Sequence, residues 1–261
     1  MSEVDAARQI ADVAAGAGLG QHRAAYAPTV MAWSRIRVIG VVAGVALAVT
    51  ALAFVIEQAG IAWITGLTAL GAVFAFVLST AQAWWHERET AGNRLAVYDH
   101  GLVAVLGGHI GVARFDSTTV LRKIVRTRAD GGPVSTVATY TLTDLAGRHF
   151  VLDSSFADAE QWGDWIQQAV TAAQLPRALA AVHAGHRLDF GGIWLTGTEI
   201  GTRNKSVPWH RVQGLRTVSG HAEIAVEGRW FELDSTAVAD IPNIGILRAL
   251  VERLCAPVSA R

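Results

Sequence analysis

Residues Gly147–Ser155 read GRHFVLDSS, and residues Gly228–Thr236 read GRWFELDST. The coincident pairs are Gly147/Gly228, Arg148/Arg229, Phe150/Phe231, Leu152/Leu233, Asp153/Asp234 and Ser154/Ser235. Alternate side chains of a strand share a face, so the Phe and Leu of each copy point inward together, and glycine supplies the hairpin turn ahead of them. Asp-Ser offers local hydrogen bonds where the chain leaves the strand for a helix. A repeated motif inside a repeated order of elements predicts a duplicated, β-rich unit.

Outward from the first copy, short alternating segments punctuated by glycine predict strands at Arg94–Tyr98, Leu102–Leu106, His109–Arg114, Val120–Thr127, Thr136–Leu142 and Arg148–Leu152. The period then changes. Trp162, Trp165, Ile166, Ala169, Val170 and Ala173 recur at three and four, which predicts a closing amphipathic helix. Around the second copy the same order returns: strands at Arg187–Phe190, Ile193–Thr196, Glu199–Arg203, Val207–Val212, Leu215–Ser219, His221–Val226 and Arg229–Leu233. A last helix follows, with Ile241, Ile244, Leu247, Leu250, Val251 and Leu254 on one face and Asn243 as its cap. Gly191-Gly192 and Glu227-Gly228 mark turns in this unit.

The N-terminal part has another character. No residue is charged from Val38 to Ile56 or from Ala59 to Trp85. Each run exceeds the roughly 18 to 20 residues that cross a hydrocarbon core as helix, so two antiparallel transmembrane helices are expected over 36–86. Arg23, Arg35, Arg37, Arg88 and Arg94 flank the pair while the connecting turn has no cation, which puts both termini in the cytoplasm of a bacterial plasma membrane. Small residues at spacing four, Gly40, Gly44 and Ala48 on one helix and Ala75, Ser79 and Ala83 on the other, predict close packing within the hairpin, with a homo-oligomer seam as the other reading. Residues 1–35 are read as a cytoplasmic juxtamembrane segment with a short helix near Glu3–Ala15.

A curled antiparallel sheet closed by one helix is the plan of pleckstrin-homology-like domains, and the strand VPWHRV (Val207–Val212) with its counterpart FDSTTV (Phe115–Val120) resembles bacterial modules of that kind. The layout resembles an uncharacterised family of actinobacterial membrane proteins in which a two-span hairpin precedes tandem PH-like domains. That resemblance covers about Asp99–Leu254 and implies a membrane α-hairpin followed by two mainly-β PH-like barrels at 94–174 and 182–256, each closed by a C-terminal helix. Its motifs are structural and bring no catalytic residues. The shorter loops of the second unit imply that a ligand surface built from loops exists in one copy only.

Acidic and basic residues balance at 22 each, which gives no basic excess for nucleic acid. The single cysteine, Cys255, excludes an intramolecular disulfide framework. No phosphate loop, dinucleotide fingerprint or nucleophile elbow occurs, and His86-Glu87-Arg88-Glu89 lacks the second histidine of a zinc protease. The residues expected to bind are cations: Arg122, Arg126 and Arg128 on one face of a strand, with Arg203, Lys205 and Arg211 as a thinner set in the second unit. They point to anionic lipid headgroups of the bilayer, to a protein partner, or to both, in a non-enzymatic interaction protein without cofactor or metal. The alternative is a membrane-associated enzyme or metal-binding subunit that uses His183 and His186, with Asp189 nearby.

Overall fold

A computed structural model of the chain describes residues 3–29, 92–128, 134–227 and 233–255, together with 40, 41, 44, 45, 48, 71, 73, 74, 76–82, 84, 85 and 90. Two compact units emerge: residues 1–27 with 94–261, and residues 28–93.

In the smaller unit the described residues between 40 and 85 are helical. Gly40 lies so close to Phe76 that a Cβ on it would stand 3.0 Å from the ring, while nothing approaches Gly44 within 4 Å. Thr80 turns its hydroxyl back onto the carbonyls of Phe76 and Val77, and the rings of Trp84 and Trp85 meet edge to face. Ala48 and Ser79 are helical, whereas Ala75 and Ala83 lie outside the described residues. The expected transmembrane hairpin and multi-pass plasma-membrane localisation are corrected here: among the described residues no helix is long and apolar enough to cross a membrane. Apolar composition is only half of the requirement, since a span also needs a continuous helix of about 18 residues or more. The rest of 36–86 lies outside the described residues.

The larger unit opens with α1 (Glu3–Gly16) and β1 (His22–Tyr26). β1 pairs antiparallel with β2 (Arg94–Tyr98), Tyr26 opposite Leu95, so the segment read as juxtamembrane supplies a strand of the first module, and 28–93 leaves the fold between two paired strands. β3 (Gly101–Leu106) and β4 (His109–Arg114) complete a four-stranded sheet in the order β1-β2-β3-β4. Ile10, Ala14 and Leu19 of the N-terminal segment cover its outer face against Ala96, Tyr98 and Val103. Asp99 locks the segment down by accepting from the Gln21 backbone N–H at 2.9 Å and from the Arg23 guanidinium.

β5 (Val120–Arg128), β6 (Val134–Thr143) and β7 (His149–Leu152) form a three-stranded sheet, and α2 (Ala159–His183) packs against it. Leu95, Leu102, Tyr140, Leu142, Leu152, Trp162, Ile166 and Val170 make the core of this module. The second module repeats the arrangement with β8 (Leu188–Phe190), β9 (Ile193–Leu195), β10 (Glu199–Thr202) and β11 (Ser206–Pro208), then β12 (Val212–Val218), β13 (His221–Val226) and β14 (Leu233–Ala237), then α3 (Ile244–Cys255). Closed barrels are also corrected, because the described strands bond as four separate antiparallel sheets of four, three, four and three strands. Between β4 and β5 no ladder forms: the carbonyls of Phe115 and Thr118 turn instead to the side-chain amide of Gln174 on α2, both at 2.8 Å.

The repeated motif takes two courses. In the first copy Asp153 accepts from the Ser155 N–H at 2.9 Å and the strand ends. In the second, Leu233-Asp234-Ser235-Thr236-Ala237 continues as strand, with Thr236 opposite Ala222 and Ala237 opposite His221. Residues 228–232 lie outside the described residues.

α2 extends beyond the expected helix. Its first half buries Trp162, Ile166 and Val170 in the first core, and its second half places Leu175, Ala178, Leu179 and Val182 on the second. Asn243 secures the junction. Held at φ 50, it donates its backbone N–H to the Val120 carbonyl at 2.9 Å, accepts the Val120 N–H on Oδ1 at 2.8 Å, and donates Nδ2 to Gln174 Oε1 at 3.2 Å.

Two outcomes are expected. Asn243→Gly keeps the positive φ but strands the Val120 N–H, so it lowers stability by about 1–3 kcal/mol, read by calorimetry as a lower Tm. The Gln21 N–H and then Arg23 hold the Asp99 carboxyl below its usual value of 3.8, so its contribution is present above that value and lost as pH falls through the lowered one. Thermal melts of Asp99→Asn therefore fall below wild type at neutral pH, and the gap closes in strong acid.

Candidate functional site: a cationic concavity on the second module

The β8–β9 turn is Gly191-Gly192. Gly191 has φ 70, and a Cβ there would lie 2.4 Å from the Asp240 carbonyl oxygen, so only glycine lets this turn sit against the 3-10 turn Val238–Asp240 that follows β14. The neighbouring β10–β11 turn is closed by the Thr202 N–H donating to the Lys205 carbonyl at 2.8 Å, which leaves Arg203 and Asn204 at its tip. Beneath it, Trp194 lies across Gly201, where a Cβ would come within 2.6 Å of the indole. Its Nε1 donates to the Thr202 carbonyl at 2.8 Å, which fixes the ring. The Arg187 guanidinium stacks 4.4 Å above that ring and is oriented by Asp189 Oδ1 at 2.8 Å.

These elements enclose two adjoining concavities of about 440 and 310 Å³ that share Gly192, Thr202, Arg203 and Asn204 as a common wall. The larger is lined by Arg187, Trp194, Lys205 and Ser206, and the smaller by Ser235, Thr236 and Asp240. Arg203 and Lys205 are exposed, and among the described residues neither has an acidic side chain at ion-pair distance. Two cations, a carboxamide and a hydroxyl gathered on one tight turn are chemistry for an anion with several acceptor oxygens.

Of the six cations singled out in the sequence, the structure brings Arg203 and Lys205 into one site. Arg122 is directed inward, 3.3 Å from Asp164 and 5.7 Å from the centre of the Tyr140 ring, and serves the contact between β5 and α2. Arg126 and Arg128 sit on β5 opposite Thr136 and Val134, and their side chains lie outside the described residues. Arg211 is exposed in a short 3-10 turn after β11 and lines neither concavity. Sequence reasoning missed Arg187 and Trp194. The available signal was the alternation Arg187-Leu188-Asp189, which places a cation and its partner on one face just ahead of the Gly-Gly turn.

The histidine cluster does not assemble. His183 ends α2, His186 follows Gly185 at φ 85, both are exposed, and Asp189 is engaged by Arg187. Among the described residues no three His, Cys, Asp or Glu side chains come together as metal ligands. Among the described residues the first module shows no matching wall. Its β3–β4 turn is Gly107-Gly108 without a cation, and its β1 and β2 are joined through residues 27–93, whereas β8 and β9 are joined by Gly191-Gly192.

The fold and site define a tandem of antiparallel β-modules, fused through a shared helix, with a cationic concavity on one of them. The chain belongs to DUF6585, a family of unknown function, whose profile matches residues 5–259. The match takes in α1 and β1 as well as both modules. No curated protein and no solved structure matches the chain.

Gly191→Ala introduces both a left-handed alanine and a clash with the Asp240 carbonyl. The expected loss is about 1–3 kcal/mol, read in urea unfolding, whereas Gly107→Ala, which meets no atom within 4 Å, pays for its φ of 53 alone and loses less.

Proposed function

We propose that this is a non-enzymatic interaction protein that binds a phosphate-bearing ligand, either a free phosphate compound or the headgroup of an anionic lipid, in the concavity of its second module. One observation carries the reading: Arg203 and Lys205 stand on a single closed turn beside the Gly191-Gly192 backbone, uncompensated by acids among the described residues. Cations placed this way cost no ion pair to recruit, and each hydrogen bond between a charged donor and a phosphate oxygen contributes about 1.5–3 kcal/mol. The wall consists largely of guanidinium, ammonium, amide, hydroxyl and backbone groups, which favours binding over catalysis. The acid on the second concavity, Asp240, faces the smaller space and would repel an anion that strayed from Arg203.

The test is calorimetric titration of the full chain with inorganic phosphate and inositol hexakisphosphate, alongside co-sedimentation with phosphatidylcholine vesicles with and without phosphatidylglycerol. Wild type binds in a salt-sensitive manner, and Arg203→Glu/Lys205→Glu weakens binding by at least about tenfold, while Arg211→Glu changes it little. Binding to the soluble phosphates alone assigns a free ligand, and binding to the phosphatidylglycerol vesicles alone assigns a headgroup. Affinity that is equal in wild type and the double variant overturns the reading.

A further inference from the structure

The first module carries a second feature of a different kind, the edge of β5, which the 3-10 turn Val238–Asp240 packs against and which pairs with no further strand among the described residues. This strand is an outer member of the sheet β5-β6-β7, and it is long for an edge, running from Val120 to Arg128. Native edges are normally short or covered, because each leaves a row of backbone donors and acceptors free to pair.

Backbone parity identifies which groups are free. Thr119 gives its carbonyl to the N–H of Thr143 across the ladder, so in this antiparallel pair the odd-numbered residues face β6. Val120 confirms the parity from the other side, since its N–H and carbonyl both bond to Asn243. Asn243 thus imitates one residue of a neighbouring strand. Beyond it, Ile124, Arg126 and Arg128 continue the same outward row, and among the described residues no backbone group bonds to Ile124 from outside the sheet. The strand there is open on its faces as well: Ile124 and Val125 are 42% and 43% exposed, and Lys123 is exposed.

We infer that this edge accepts an extended, acidic segment of a partner protein as a fourth strand, continuing the pairing that Asn243 begins. Charge decides the occupant. The stretch Lys123-Ile124-Val125-Arg126-Thr127-Arg128 holds three cations and no acid. A second copy of the chain would bring this row against itself, and like charges directly opposite on paired strands are destabilising. An acidic strand that alternates with apolar residues meets both features, because Ile124 and Arg126 lie on one face of β5 and Lys123 and Val125 on the other: its carboxylates fall on the face of Arg126 and its apolar residues beside Val125. Backbone hydrogen bonds supply the affinity in such an addition, and the side chains supply the choice of partner.

The probe is a labelled eight-residue peptide alternating Glu and Val, compared with its Lys/Val counterpart by fluorescence anisotropy on the full chain. The Glu/Val peptide is expected to bind with marked salt sensitivity and the Lys/Val peptide at least about tenfold more weakly. Ile124→Pro removes an N–H that points away from β6, so the ladder survives and binding falls at least about tenfold. Lys123→Glu/Arg126→Glu leaves the backbone untouched and gives the same loss, which keeps the test intact if the proline variant does not fold. In the complex, amide exchange slows at Ile124 and Arg126 and is unchanged at Lys123 and Val125, whose N–H groups already serve β6. The inference is overturned by equal binding of the two peptides, by no binding at millimolar peptide, or by binding that leaves Ile124 exchange unchanged. Preference for a single-stranded oligonucleotide over the acidic peptide also overturns it.

Discussion

Asn243 bonds to both backbone groups of Val120, and that one residue joins the start of the second module's helix to the start of the first module's outer strand. A buried backbone N–H left without a partner costs about as much as the hydrogen bond it forgoes. The residue that meets this need must carry an amide side chain and tolerate a left-handed backbone, which asparagine does better than any other side chain. Gln174 extends the contact by holding the carbonyls of Phe115 and Thr118 and the amide of Asn243 together. Since the same helix contributes Trp162 to one core and Val182 to the other, the two modules share a wall and have no linker between them.

The two copies differ in this frame. In the first module β1 and β2 are joined through residues 27–93, Ile10, Ala14 and Leu19 cover the outer sheet face, and β5 pairs with no further strand beyond β6 among the described residues. In the second, the same connection is a glycine turn beside a cationic loop, and the outer sheet face carries Trp194 under Arg187 instead of a covering helix. Each copy therefore offers a different surface. Arg122 illustrates how neighbours decide a role: on a bare strand it would join the cations of β5, but Asp164 and the Tyr140 ring draw it inward.

Much of the β structure was legible because period-two alternation between glycine turns is a local signal, and strands such as Arg94–Tyr98 and His109–Arg114 fall where alternation places them. β1 was not legible: its partner lies beyond residues 28–93, and His22-Arg23-Ala24-Ala25-Tyr26 shows little alternation of its own. The extent of α2 was hidden by Pro176, normally a breaker, which this helix passes through while packing on two cores. Of the candidate site, Arg203 and Lys205 could be named from a cationic turn, whereas Arg187 and Trp194 could not, because a stacking contact across strands has no spacing along the chain.

What the sequence determined alone is the duplication, the order of strands and closing helix in each copy apart from β1, and the separate apolar character of 36–86. These follow from periodicity and repetition, which are properties of neighbouring residues. Tertiary structure decided what each repeated segment became. Identical letters end a strand at Asp153 and continue one at Asp234, because in the second copy β13 offers His221 and Ala222 as partners and draws the chain onward. Local composition proposes a conformation, and long-range pairing and packing, worth more per residue than propensity, select among the proposals.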